Sequence, residues 1–285
     1  MSNLVTSIDD MRPFIRVASD VENVAEFSTG IDFTIEKYIL PILGQTLLDT
    51  LEEYCATRSE TTESAMERLR TRVLRTLWPF QIAEIADELA VTISGMGISV
   101  ARTDSVAPVS DEKLKALKNT LYNRAYAESE SLIRTLIIRV VDYPSWTQQN
   151  VLLCHLFNYS DEFIRLVPIS NAALTLNNLK PAIERMERTV LAELVGAELV
   201  DFFITNLYDT SADVSIRTAI YYARCIVAYS VALDDLNLSA YASRIESVTA
   251  QLLAILAANP AKFPGYVAPA AFDELNDAKF FNTIR

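Results

Sequence analysis

Histidine occurs once in this chain, at position 155, and cysteine three times, at 55, 154 and 225, with no CxxC pair. That scarcity excludes zinc-ribbon centres and paired-thiol redox motifs. An odd, widely spaced set of cysteines reads as small core hydrophobes in a reducing compartment. Glycine (6) and proline (10) are few for 285 residues, whereas an all-β sandwich needs a turn about every 8 to 12 residues, built largely from those two. The shortage points to an all-α fold. Basic residues are outnumbered 25 to 37 by acidic ones, for a net charge of -12. This balance repels a phosphate backbone at long range and rules out binding driven by counterion release. The opening MSNLVTSIDDMRP has no basic start followed by an apolar run, so no signal peptide is expected. The most apolar window, 219–233, is shorter than the roughly 20 residues that span a bilayer and is interrupted by Arg224. It reads as a buried helix, and no membrane contact is expected.

Catalytic patterns are equally sparse. There is no ExxH, HExxH or GxSxG. The GMG at 95–97 follows no expected strand and lacks the lysine-threonine end and distant acid of a nucleotide-binding loop. His155, inside LLCHLF, reads as a core or helix-cap residue, and the pairs Asp9–Asp10 and Asp234–Asp235 as helix caps or turns. A magnesium enzyme using Asp234 and Asp235 is the weakest alternative, because a third acid is missing from DDLNL. No catalytic residue, cofactor or metal ligand is assigned, and the chain is not expected to be an enzyme.

What the chain does have is helical periodicity over half its length, with a core large enough for one big domain or two small ones at 51% apolar residues. Val24, Phe27, Ile31, Ile35, Ile39, Ile42, Leu43, Leu47 and Leu51 fall at steps of three and four, with a kink or break expected near 41–44 from Pro41 and Gly44. A second helix is expected over 63–93. Ser110 before Asp111 and Glu112 opens a third, carrying Leu114, Leu117, Leu121, Leu132, Leu136 and Val140 and ending before DYPSW. A short helix is expected from Thr147 to Phe157.

The second half repeats the first. An offset of 152 carries Gly44 onto Gly196, Asp9 onto Asp161, Ile31 onto Ile183, Leu47 onto Leu199 and Asp49 onto Asp201, with Met11/Phe163, Ile15/Val167, Ile39/Leu191 and Leu43/Val195 as conservative matches. This predicts two related helical-bundle modules in tandem: 1–157, with an insertion at about 95–109; 158–258; and then an extended C-terminal arm over 259–285. The apolar helices 77–93 and 219–233 are taken as counterparts. Only the first is followed by SGMGISVARTDSVAPVS. Ile98, Val100 and Val106 around Thr103, Asp104 and Ser105 read as a protruding β-hairpin. A lone hairpin is marginal in water, so it should lie on something. The C-terminal segment holds Phe263, Tyr266, Phe272, Phe280 and Phe281, too many aromatics for a free tail. Ile98, Val100, Val106, Pro108 and those five aromatics are therefore the expected subunit-contact residues.

The stretch SIDDMRPFIRVASD...IEKYILPILGQTLLDTL, together with GMGISVARTDSVAPVS leading into a helix, resembles an uncharacterised family from phages and prophages of gut anaerobes. The matching residues are Asp10, Met11, Arg12, Pro13 and Phe14; Ile42, Leu43, Gly44, Leu47 and Asp49; and Gly95, Gly97, Val100, Val106, Ala107, Pro108 and Ser110, with Ile98 departing from the usual aromatic or valine. More distantly the chain is similar to the head-to-tail connector proteins of tailed phages. That resemblance implies a dodecameric ring beneath the portal, contacts with the portal protein and with neighbouring tail or collar proteins, and passing contact with packaged DNA. It also implies a virion protein made in the host cytoplasm. The alternative is a cytosolic all-α scaffold or regulatory protein that binds protein partners as a monomer.

Overall fold

The computed structural model describes residues 4–5, 7–15, 24–25, 27–57, 64–89, 91–94, 97–100, 110–146, 155–209 and 211–266. Their fold is all-α, with one two-stranded ribbon. The chain divides into two compact units, Met1–Leu153 with Asn158–Asp161 and Ile169–Asn178, and Cys154–Phe157 with Glu162–Pro168 and Leu179–Arg285. The division therefore straddles the expected boundary at 157/158.

In the first unit a 3-10 turn, Ile8–Asp10, precedes α1 (Ile31–Thr34), which runs through five π-helical residues, Ile35–Ile39, into α2 (Leu40–Leu43). The periodic residues Ile31, Ile35, Ile39, Ile42, Leu43, Leu47 and Leu51 are all buried. Gly44 ends α2 at φ 72°, ψ 159°, a region that essentially only glycine occupies. It turns the chain into α3 (Gln45–Thr57), so the break falls where the sequence placed it.

α4 (Ala65–Leu89) follows and buries Leu69, Val73, Leu77, Trp78 and Phe80. It stops short of 93 because β-branched Val91, Thr92 and Ile93 favour extended backbone. They belong to β1 (Val91–Ser94), which pairs antiparallel with β2 (Gly97–Val100) in the register Val91–Val100 and Ser94–Gly97. The described ribbon lies ahead of the expected one, with Gly95 and Met96 between its strands in sequence, and the expected turn at Thr103–Ser105 lies outside the described residues. A two-residue connection containing glycine matches the twist of paired strands. Residues 101–109, with Val106 and Pro108, lie outside the described residues.

α5 (Asp111–Ile138) starts after Ser110, with Asp111 and Glu112 in its first turn, though the Ser110 hydroxyl makes no capping bond. It packs along α4. A 3-10 turn, Val140–Asp142, then leads to buried Tyr143 and Trp146, whose polar atoms donate to the Ala65 carbonyl (3.1 Å) and the Ile42 carbonyl (3.0 Å). Of the helix expected over 147–157, only 155–157 are described, and they are not helical. Their backbone is tied instead to a buried carboxylate, Glu187, whose Oε1 accepts from the Leu156 amide at 2.7 Å.

The division of units cuts through α6 (Ser160–Ile164) and α7 (Ala172–Met186). The second unit continues through π-helical Glu187–Leu191 into α8 (Ala192–Val195), Gly196 at φ 90°, ψ 147°, and α9 (Ala197–Thr205). The π-helical turn and the glycine each recur at the offset of 152. No proline occupies 193, the counterpart of Pro41, so proline alone does not account for the turn. α10 (Val214–Asp234) is capped by Asp213, which accepts from the Ser215 amide at 2.8 Å, and packs on α11 (Ala242–Ala258). No described helix is long and apolar enough to cross a membrane.

Candidate functional site

The most constrained polar group in the first unit is built from its opening segment and α4. Arg70 is buried (6% side-chain exposure) beside equally buried Asp10 (8%). Its Nη2 donates to Asp10 Oδ1 and to the Leu4 carbonyl at 3.3 Å, and its Nη1 reaches Glu67 at 3.4 Å. Asp10 also accepts from the Ser7 amide (3.2 Å), and its carbonyl accepts from Trp78 Nε1 (3.0 Å). Burial works against the Arg70 charge, but the hydrogen bond and charge of Asp10 outweigh it and push the pKa above its ordinary value. Asp9, by contrast, is exposed and pairs with Arg12 at 3.3 Å.

The second unit has a group of the same composition. Arg224 donates from Nε to the Leu156 carbonyl at 2.8 Å and approaches Glu162 through Nη2 at 2.8 Å, with side-chain exposures of 19% and 14%. His155 Nδ1 lies 2.9 Å from Glu187 Oε2. The lone histidine is thus engaged with a buried carboxylate in the π-helical turn, near the core role expected of it.

A cluster of hydroxyls sits between the π-helical turn Ile35–Ile39, α4 and α5. Tyr38 stacks on Phe80 at 3.8 Å with an interplanar angle of 6°, and Tyr126 meets Phe80 edge-on at 5.0 Å. Glu84 accepts from Tyr38 and from Lys37 (2.7 Å). Burial raises the Glu84 pKa, but the bonds from Lys37, Tyr38 and Tyr122 outweigh that and hold it below the usual carboxylate range. Burial and the Glu84 charge push Tyr122 up to about 12. Because the folded pKa is depressed, this carboxylate's contribution is present above its unfolded pKa of about 4.3 and is lost as pH falls through the folded value. Glu84→Gln should therefore lower Tm at pH 7, and the gap to the parent should shrink on acidification from about pH 5 to 3. A gap that stays constant in thermal unfolding over that range contradicts the ionised role.

Asp234 and Asp235 do not form an open acidic pair: Arg185 Nη2 bonds both, at 3.0 and 2.8 Å. Among the described residues no group of three His, Cys, Asp or Glu side chains could hold a metal ion.

Of the expected contact residues, Ile98 and Val100 lie in β2, with Cα partners Ile93 and Val91. Phe263 is corrected. It is 2% exposed and packs edge-on against Phe203 at 6.4 Å, a core position of its own unit, because a ring so near a helical core gains more from burial there than from waiting for a partner. Tyr266 is half-buried, and its buried hydroxyl has no hydrogen-bond partner among the described residues. Phe272, Phe280 and Phe281 lie outside the described residues. The sequence reading missed buried Arg70 and partly buried Arg224. One signal was present: Arg224 inside an otherwise apolar window has to be paired if that helix is buried.

Residues 39–152 match a family of unknown function, DUF6712. No curated protein and no solved structure matches the chain.

Proposed function

We propose that this chain is a structural protein of a tailed-phage particle, a component of the connector or collar ring between portal and tail that extends the DNA channel. The observation that carries this reading is an exposed apolar ridge at the end of α5. Ile138 is 80% exposed, Val140 45% and Val141 90%, three β-branched apolar side chains within four positions. Apolar surface concentrated in this way marks a contact with another molecule, and head-to-tail contacts that close on themselves make rings. The ribbon over 91–100 favours the same reading, since two strands alone gain little in water. Residues 39–152, matched by the family, also include Gly44, Gly95, Gly97 and Ser110, on which the resemblance to phage proteins rests.

In this reading the chain carries two related helical-bundle modules in tandem, a hairpin arm on the first only, and an extended C-terminal arm bearing Phe272, Phe280 and Phe281. The repeated π-helical turn and glycine support the tandem modules. Its partners are copies of itself, the portal protein and adjoining tail or collar proteins, and its net charge of -12 lets DNA slide past without adhering. Light scattering on the purified chain, alone and mixed with portal protein, tests the reading. Multi-copy species are expected in at least one of the two. A chain that stays monomeric in both favours the alternative, a cytosolic all-α scaffold binding partners singly.

A further inference from the structure

We infer that Arg70 and Arg224 are the same position of a repeated module, and that each locks the opening segment of its own unit onto the long helix that carries it. The acceptors establish the equivalence. Arg70 bonds the Leu4 carbonyl and the Asp10 carboxylate; Arg224 bonds the Leu156 carbonyl and forms an ion pair with the Glu162 carboxylate at 2.8 Å. Leu4 and Leu156, like Asp10 and Glu162, are separated by the offset of 152 that relates the π-helical turns and the glycines. Leu4 and Leu156 are both 0% exposed.

The arginines themselves are 154 apart, so the register slips by two residues between the short helices and the long ones. With that slip, α4 and α10 agree along their buried faces: Leu69 with Ala223, Val73 with Val227, Leu74 with Ala228 and Leu77 with Val231, every one buried. Apolar matches alone would be weak, because any two buried helices share their period. The polar positions discriminate. Arginine is almost never buried without a partner, and each of these arginines is followed six residues later by a buried hydroxyl, Thr76 or Ser230. The sequence-based pairing of 77–93 with 219–233 is thereby replaced, since it put Arg224 opposite an apolar position.

The two locks differ in one respect. In the first, Nη2 donates to both acceptors; in the second the fork is turned, with Nε donating to the carbonyl while Nη2 faces the longer carboxylate as an ion pair that lacks hydrogen-bond alignment. Glu162 carries one methylene more than Asp10, which offsets the changed approach. Arg70 and Arg224 are thus positioning residues for residues 7–15 and 156–167.

Hydrogen exchange with mass spectrometry on the full chain tests this independently of any ring. Arg70→Met should raise exchange in 7–15 by about tenfold or more and leave 156–167 unchanged; Arg224→Met should do the reverse. The milder variants Asp10→Asn and Glu162→Gln should give the same division if a methionine variant fails to fold. The inference is overturned if either segment keeps its protection when its own arginine or carboxylate is altered, or if altering one lock loosens both segments equally.

Discussion

Arg70→Met should destabilise the first unit by about 3–5 kcal/mol, the cost of stranding a buried carboxylate without its counter-charge. Asp10 is 8% exposed, and the Ser7 amide that donates to it carries no full charge to replace the guanidinium. The unit can avoid that state by releasing the opening segment, but release exposes Leu4, Ile8 and Met11, all buried now, so the loss is large by either route. The double variant Asp10→Leu/Arg70→Met should recover most of it, because a buried ion pair replaced on both sides by apolar groups is often close to neutral. About 1 kcal/mol should remain lost with the bond from the Ser7 amide. Urea titrations of the three proteins check this. A single variant no weaker than the double one would mean that Asp10 is not buried with its charge.

Replacing 91–109 with a linker of about six glycine and serine residues should leave folding intact and remove assembly. α4 packs chiefly along α5, with a smaller contact to β1, and among the described residues the ribbon's strands pair with each other. Far-ultraviolet circular dichroism and Tm should therefore stay close to the parent values. Incorporation into rings or particles should fall about a hundredfold, the equivalent of about 2.8 kcal/mol of lost contact. Unfolding of the shortened chain would place the ribbon in the core of its own unit. Unchanged incorporation would mean that it touches no other chain.

The helices were legible because apolar spacing reports the buried face directly: Ile31 through Leu51 read as one stripe, and every member named is buried. Gly44 was legible as a break because few residues can leave a helix as it does. The strand β1 was missed for an equally physical reason. Val91, Thr92 and Ile93 continue the apolar pattern of α4, and a short apolar run does not declare by periodicity whether it is helix or strand. The polar locks were out of reach for another. Arg70 lies in ERLRTR, where it looks no different from exposed Arg68 and Arg72, and only the chain's return of Asp10 to its side makes it a core residue. Arg224, surrounded by apolar residues, was the readable member of the pair. Phe263 illustrates the limit of composition, because an aromatic beyond the last long helix can dock at home as readily as abroad.

Cryo-electron microscopy of particles containing this chain tests the assembly reading most directly. A ring at the neck is expected in which the 91–109 excursion and the Ile138–Val141 ridge are covered by neighbouring chains. Particles that lack the chain, or a ring in which both features face solvent or their own chain, would contradict it.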